Sequence, residues 1–266
     1  MNYTDLTTSN NFFLIAGPCV VESKESCFGI AEQLFSVTKE LNIPLVFKAS
    51  YKKANRSRLD SFTGIGDDEA LQILSDVRSH FNIPVLTDIH ETFDAAKVKD
   101  FVDVLQIPAF LCRQTDLLLA AGETGKIVNI KKGQFVSAEM MQFAAEKVAS
   151  TGNKNILLTE RGTMFGYNDL IVDYRNIPLL QQTGYPVVMD ITHSVQQPNN
   201  AAGISSGQPQ FIETLAKCAI ASGANGIFLE THPDPSKALS DGANMLKLSE
   251  VKGLLEKLLT LRNAIK

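Results

Sequence analysis

The sequence predicts an α/β protein, a single-domain (β/α)8 TIM barrel over residues 1–266 with a short N-terminal extension at about residues 1–12. Eight short apolar, β-branched runs alternate with longer amphipathic segments, which is the order expected of parallel strands that are each followed by a helix. Several runs are almost wholly apolar, as is typical of strands covered on both faces. The chain has 266 residues, close to the roughly 250 residues of such barrels.

The predicted strands are five or six residues long and are FLIAG (13–17), LVFKAS (45–50), VLTDI (85–89), VLQIP (104–108), IVNIK (127–131), ILLTE (156–160), VVMDI (187–191) and GIFLE (226–230). Helical patterns lie between them, at 25–41, 67–81, 137–150, 208–221 and 249–265. A doubly wound open sheet is the alternative fold, but such a sheet often has a glycine-rich turn after its first strand. Here the first turn is Gly17-Pro18-Cys19.

Composition limits the classes of partner. The net charge of −4 provides no basic field for nucleic acid or an anionic membrane. The first dozen residues lack the apolar core of a signal peptide, and no apolar run approaches the roughly 18 residues of a membrane span. The four cysteines include no CxxC pair, so no disulfide framework is predicted. We therefore expect a cytoplasmic protein that binds neither nucleic acid nor membrane.

Basic residues gather where the predicted strands end, which is where barrel enzymes place their active sites. Arginine and lysine bind phosphate and carboxylate, so these residues predict substrates with several negative charges. For any one loop cation taken alone, a solvated surface position is the better explanation. Lys48 and Lys131 differ because they lie in apolar strands, where a charge needs a partner. The full set is Lys48, Lys53, Arg56, Arg113, Lys131 and Arg161.

A second group has the chemistry of a metal site. In a closed barrel the last strand pairs with the first, so the ends of the seventh, eighth and first strands are neighbours. They carry a thiol, an imidazole and carboxylates, which suit Zn²⁺, Fe²⁺ or Mn²⁺. The structural alternatives are that Cys19 is a small packing residue and that His193 is a hydrogen-bonded loop residue. The predicted ligands are Cys19, His193, Glu230 and Asp241, with His232 and Asp234 as rivals.

From about residue 12 onwards, the chain resembles the 3-deoxy-D-manno-octulosonate-8-phosphate synthases. The resemblance is carried by AGPCVVES (16–23), FKASYKKANRS (47–57), LTDIH (86–90), LQIPAFLCRQTDLL (105–118), NIKKGQF (129–135), TERGTMFGYNDLIVD (159–173), DITHSVQQP (190–198) and FLETHPDP (228–235). The related 3-deoxy-arabino-heptulosonate-7-phosphate synthases typically have a KPRT-type motif where this chain has KANRS at 53–57.

The resemblance implies that phosphoenolpyruvate condenses with D-arabinose 5-phosphate and water. The products are 3-deoxy-D-manno-octulosonate 8-phosphate, which enters the lipopolysaccharide inner core, and inorganic phosphate. It implies no organic cofactor. Three other functions stay open. A heptulosonate synthase would use erythrose 4-phosphate, a Schiff-base aldolase would use Lys48 or Lys131 as its amine, and a scaffold protein would not need the cationic strand ends.

The resemblance also implies residue roles. Lys48 and Lys53 match the lysines at the phosphoenolpyruvate carboxylate, and Lys131 and Arg161 match the residues at its phosphate. For arabinose 5-phosphate, Asn55 matches a residue at the hydroxyls, while Arg56, Ser57 and Arg113 match residues at the phosphate. The last of these comes from a neighbouring subunit, usually in a homotetramer. Gln106 and Asp88 line the site, and the implied catalytic set is Lys53, Asn55, Asp88 and His193.

Cysteine at position 19 is typical of the metal-dependent branch of the family, whose other branch has asparagine there. The resemblance therefore implies one divalent ion held by the four predicted ligands. The sequence departs from the family pattern at three places. Lys52 replaces an acid, Ala138-Glu139 replaces a proline-containing segment, and the loop at 203–210 lacks an arginine.

Overall fold

The computed structural model describes residues 3–8, 11–54, 59–164, 169–197 and 206–265. Eight parallel strands form a closed barrel in which the first strand pairs with both the second and the eighth. All eight predicted strands are confirmed, and closure rules out the open sheet. The strands are β1 (Phe13–Gly17), β2 (Leu45–Lys48), β3 (Val85–Asp88), β4 (Val104–Ile107), β5 (Ile127–Lys131), β6 (Ile156–Glu160), β7 (Val187–Asp190) and β8 (Gly226–His232).

A helix follows each barrel strand: α1 (Lys24–Glu40), α2 (Asp67–Phe81), α3 (Thr92–Val98), α4 (Thr115–Glu123), α5 (Met141–Ser150), α6 (Asn176–Gln181), α7 (Ile212–Ala221) and α8 (Val251–Ala264). The five predicted helices are present, although α5 and α7 begin four residues later than their patterns at 137 and 208. Helices α3, α4 and α6 were not predicted. They have seven, nine and six residues, too few to show a clear helical periodicity.

Side chains alternate along each strand between the helix layer and the barrel interior. The lower interior is apolar and contains Phe13, Ile15, Val46, Leu86, Val104, Ile127, Leu157, Val188 and Phe228. Two residues further along each of seven strands, the inward position is polar: Lys48, Asp88, Gln106, Asn129, Thr159, Asp190 and Glu230, all buried. The barrel is therefore a hydrophobic core below and a polar layer above, at the C-terminal ends of the strands.

The predicted N-terminal extension contains a short helix, Tyr3–Thr7. Its Leu6 is 2% exposed and belongs to the apolar cluster of the barrel interior. The hydroxyl of Tyr3 donates a 3.0 Å hydrogen bond to the carbonyl oxygen of Ile156 at the start of β6. Burying the leucine side chain contributes about 2 kcal/mol, so this helix closes the lower end of the barrel.

None of the helices in the described ranges has the length and apolar character needed to cross a membrane. The cytoplasmic location and the absence of a nucleic-acid partner stay predictions.

Candidate active site

Lys48 and Glu230 form a buried ion pair in the polar layer. The ammonium also donates a 2.8 Å hydrogen bond to the carbonyl oxygen of Cys19. This contact needs β1 and β2 to approach closely, and Gly17 permits it because a Cβ there would collide with the Lys48 carbonyl oxygen. Burial lowers the pKa of Lys48, but the combined attraction of Glu230, Cys19 and Asp88 outweighs it and leaves the pKa above its ordinary value. The lysine therefore stays charged.

Three of the four predicted metal ligands come together. The ligand atoms of Cys19, Glu230 and Asp241 all lie within 4.8 Å of one another. The fourth residue, His193, lies outside that grouping, but its Nε2 is 3.6 Å from Glu230 Oε2. That oxygen is buried and has no hydrogen-bond partner in the described part of the chain. A sulfur, a nitrogen and an unpartnered carboxylate oxygen fit a Zn²⁺, Fe²⁺ or Mn²⁺ ion.

The electrostatic environment of the Cys19 thiol also suits a bound metal ion. Burial raises the pKa of Cys19 to about 12, with the charge on Glu230 adding to the shift. Lys53 lies 2.9 Å from the sulfur and opposes that shift. Burial raises the pKa of Glu230, but Lys48, His193, Lys53 and Lys131 together outweigh it and hold that pKa at about 2. A bound metal would convert the thiol to the thiolate, which is the ligand form.

Asp190 is a functional candidate to which the sequence assigned no role. Its Oδ2 accepts hydrogen bonds from Lys131 Nζ and His193 Nδ1, each at 2.7 Å. Its Oδ1 accepts the backbone N–H groups of Thr192 and His193 at 3.0 and 2.8 Å. Asp190 therefore directs the other imidazole nitrogen of His193 towards Glu230. The signal for this role was its inward position at the end of β7.

Two further cations of the predicted set lie beside this network. Lys131 Nζ is 3.7 Å from the ring centroid of Phe228, and burial lowers its pKa more than Asp190 raises it. Arg161 is 5% exposed and donates a 2.8 Å hydrogen bond to the carbonyl oxygen of His193. Buried cations held by hydrogen bonds at the mouth of the barrel are suited to binding phosphate.

The ends of β3 and β4 add two predicted side chains. Asp88 Oδ2 is 2.9 Å from His90 Nε2, and its Oδ1 is buried without a hydrogen-bond partner among the described residues. Burial raises the pKa of Asp88, but His90, Lys53 and Lys48 lower it by more, so the net shift is well below the ordinary range. Gln106, in β4, is 4% exposed and accepts a hydrogen bond from Asn129.

The remaining predicted residues are not joined to this network by the described contacts. Arg113 is exposed and lines a small pocket with Cys112, Met140, Phe143 and Lys147. Asn55, Arg56 and Ser57 lie outside the described residues. Of the rival metal ligands, His232 is hydrogen-bonded through Nδ1 to the backbone of Asp234, and its Nε2 is 3.6 Å from Glu22 Oε2. These rivals contact one another rather than the thiol.

Lys132 and Glu160 form a further buried ion pair, which the sequence did not identify. Lys132 is fully buried and lies 3.2–3.4 Å from four oxygen atoms of residues 133, 136, 162 and 163. Glu160 Oε1 accepts the backbone N–H groups of Arg161 and Gly162 at 2.9 and 2.6 Å. These contacts join the segments after β5 and β6, and so fix the backbone that carries Lys131 and Arg161.

Lys52, where the family resemblance leads one to expect an acid, has two carboxylate partners. Its Nζ lies 2.9 Å from Asp94 Oδ1 and 3.9 Å from Asp67 Oδ2. Asp94 also accepts the backbone N–H groups of His90 and Glu91 at the start of α3. The added positive charge is therefore balanced locally and braces the loop that follows β3.

Comparison with known proteins agrees with this geometry. Residues 6–266 match the DAHP synthetase I family. The 2-dehydro-3-deoxyphosphooctonate aldolase of Koribacter versatilis is 53% identical over 256 residues, which cover 95% of this chain and 92% of that protein. The protein of the same name from Trichlorobacter lovleyi is 54% identical over 245 residues, which cover 92% of this chain and 90% of the relative. The chain therefore belongs to the DAHP synthetase I family and, within it, to the 2-dehydro-3-deoxyphosphooctonate aldolases, the enzymes also called octulosonate-8-phosphate synthases.

Proposed function

We propose that the protein condenses phosphoenolpyruvate with D-arabinose 5-phosphate and water to give 3-deoxy-D-manno-octulosonate 8-phosphate and phosphate. The observation that carries this proposal is the group of cations at the C-terminal end of the barrel. Lys48 in the polar layer and Lys131, two residues beyond Asn129, are buried at inward positions beside Lys53 and Arg161. The names of the relatives favour arabinose 5-phosphate over erythrose 4-phosphate.

The chemistry has two stages. C3 of phosphoenolpyruvate attacks the aldehyde carbon, forming the new C–C bond, and the aldehyde oxygen takes up a proton. Water then adds at C2 and loses a proton, and the tetrahedral species expels phosphate by C–O cleavage. Fixed cations offset the repulsion between the two anionic substrates and hold the reacting carbons together.

Each cation has a proposed target on phosphoenolpyruvate. Lys48 and Lys53 bind the carboxylate, while Lys131 and Arg161 bind the phosphate. The unpartnered Oδ1 of Asp88 accepts a hydrogen bond from a substrate hydroxyl and is placed to take part in proton transfer. Lys53, Asp88 and His193, together with Asn55, are the proposed catalytic residues.

One divalent metal ion is proposed as the cofactor, held by Cys19, His193, Glu230 and Asp241. The charge balance supports it. The cations Lys48, Lys53, Lys131 and Arg161 face the carboxylates of Asp88, Asp190, Glu230 and Asp241, so these side chains alone offer two anionic substrates no net positive charge. When bound, the metal would supply Lewis-acid or orienting chemistry towards the aldehyde or water.

Arabinose 5-phosphate is proposed to be bound by Asn55, Arg56, Ser57 and the Arg113 of a neighbouring subunit in a homotetramer. Exposed apolar side chains on the segments around Arg113 support self-association. Phe110, Phe135, Met140 and Phe143 are 51%, 56%, 42% and 48% exposed. Light scattering on the purified protein tests the assembly, and a monomer that keeps full activity would contradict the role of Arg113.

The test of function is phosphate release from phosphoenolpyruvate with arabinose 5-phosphate or erythrose 4-phosphate as the second substrate. We expect release with arabinose 5-phosphate, loss after chelation, and recovery on adding Mn²⁺ or Zn²⁺. Release with erythrose 4-phosphate alone would overturn the assigned aldose. A covalent adduct trapped by borohydride would indicate a Schiff-base mechanism. A wild-type protein that releases no phosphate, with Lys53→Ala and Arg161→Ala variants that bind ligand as it does, would support a scaffold.

A further inference from the structure

A buried chain of three polar side chains crosses β4, β5 and β6 within the barrel. Thr159 Oγ1 donates a 2.6 Å hydrogen bond to Asn129 Oδ1, and Asn129 Nδ2 donates a 3.0 Å hydrogen bond to Gln106 Oε1. Thr159 and Asn129 are fully buried, and Gln106 is 4% exposed. Burying an amide or a hydroxyl in a barrel core is costly unless it is partnered, and these two hydrogen bonds partner the Thr159 hydroxyl, the Asn129 amide and the Gln106 oxygen.

The chain lies directly below the proposed phosphoenolpyruvate site. Residues two positions apart on a strand point to the same side, so Lys131 follows Asn129 on the inward face of β5. Arg161 is likewise two residues beyond Thr159, in the segment after β6. In the strand register, Gln106 aligns with Asp88 on β3 and with Asn129 on β5. Gln106 therefore stands between a catalytic candidate and the strand that carries a phosphate-binding lysine.

The donors and acceptors set the direction of the chain. Thr159 Oγ1 donates to the Asn129 oxygen at 2.6 Å, within the usual O–H···O range of about 2.5–3.0 Å. Because the hydroxyl occupies the Asn129 oxygen, the Asn129 amide nitrogen is turned towards Gln106. The Asn129 nitrogen donates to Gln106 Oε1, so the Nε2 donor of Gln106 is directed towards the proposed phosphoenolpyruvate site. In the described part of the chain, the Gln106 side chain has no other hydrogen bond.

We propose that Thr159 and Asn129 are positioning residues, which hold Gln106 so that its Nε2 donates a hydrogen bond to an oxygen of phosphoenolpyruvate. An acceptor directed at that oxygen would repel it, so the orientation of the amide decides whether Gln106 assists or opposes binding. The inference rests on the proposed function and names a determinant of substrate affinity inside it.

The test compares Thr159→Val, which removes the donor at nearly constant volume, with Thr159→Ser, which keeps it. Freed from the hydroxyl, the Asn129 amide can reverse, and Gln106 then loses its fixed orientation. We expect Thr159→Val to raise the KM for phosphoenolpyruvate about tenfold, as for the loss of one buried hydrogen bond to a charged group. The KM for arabinose 5-phosphate should stay unchanged, and Thr159→Ser should restore the wild-type KM.

Two controls separate positioning from general damage to the core. Thr38→Val removes a buried hydroxyl that donates to Leu34 in α1, and it should lower the melting temperature without changing the KM for phosphoenolpyruvate. In a Gln106→Leu background, Thr159→Val should have no further effect on KM, because Thr159 acts through Gln106.

Additive effects of Thr159→Val and Gln106→Leu, or a change confined to the KM for arabinose 5-phosphate, would overturn the inference. Calorimetric titration with phosphoenolpyruvate reads the same comparison without turnover. A wild-type protein that binds phosphoenolpyruvate but never releases phosphate would refute the proposed function, while the relative affinities of the variants would still decide the role of Thr159.

Discussion

Lys131 and His193 share one acceptor, because the ammonium and the imidazole Nδ1 both contact Oδ2 of Asp190 at 2.7 Å. A residue proposed to bind phosphate and a residue proposed to bind metal are thus positioned by the same carboxylate. Carboxylates that orient ligand histidines in this way affect metal affinity and activity by about 10- to 100-fold.

Asp190→Asn should lower kcat/KM by about 100-fold, because the amide has one acceptor oxygen for the four donors that the carboxylate serves and leaves Lys131 without a counter-charge. Steady-state kinetics and metal analysis of the purified variant measure the two effects. Asp173→Asn is the matched control, since Asp173 pairs with Arg175 on the surface. Equal kinetics in the two variants would contradict a positioning role for Asp190.

Cys19→Ala should lower the metal content of the purified protein from about one ion per chain to a small fraction, because the soft ligand is lost. Elemental analysis of dialysed protein measures this directly. Cys27→Ala is the control, as Cys27 is equally buried but packs within α1. Unchanged metal content in the Cys19 variant would disprove the proposed ligand set.

Stability should depend on the ionisation of Asp94. Burial raises the pKa of Asp94, but hydrogen bonds from His90, Lys52 and Glu91 lower it by more, so its folded-state pKa lies below the ordinary value. A depressed pKa contributes stability above the unfolded pKa, near 3.9, and this contribution is lost as the pH falls through the folded pKa. Asp94→Asn should therefore cost about 2 kcal/mol at neutral pH and less at about pH 3.

Urea unfolding of both proteins at the two pH values measures that difference. Asp68→Asn is the control, because Asp68 is exposed at the start of α2 and pairs with Lys97 alone among the described residues, and exposed pairs contribute less than about 1 kcal/mol. A cost of Asp94→Asn that stays constant with pH would show that its ionisation is not linked to folding.

Leu6→Ala should lower the free energy of unfolding by about 3 kcal/mol, because it opens a cavity in the apolar cluster that closes the barrel. The kcat should not change, since the polar layer lies at the opposite end. Tyr3→Phe removes only the hydrogen bond to Ile156 and should cost about 1 kcal/mol. A loss of activity with unchanged stability would contradict a purely closing role for this helix.

The amino-acid pattern alone determined the strands, the barrel and the end at which the chemistry lies. Buried parallel strands need almost wholly apolar sequences, so charged residues such as Lys48 and Lys131 are conspicuous inside them. Closure of the barrel, which the strand pattern predicts, is enough to make Cys19 and Glu230 neighbours. The short helices α3, α4 and α6 could not be predicted, because their few residues contain too little helical periodicity.

Only the tertiary structure decided which polar groups share a partner. Asp190, Asn129 and Thr159 look like ordinary strand residues in the sequence, and their roles depend on strand register and side-chain direction to within about an ångström. The neutralisation of Lys52 likewise needs Asp67 and Asp94, which follow different strands. Pairing of this kind depends on distances between segments far apart in the chain, whereas periodicity records only whether each residue faces the core or the surrounding layer.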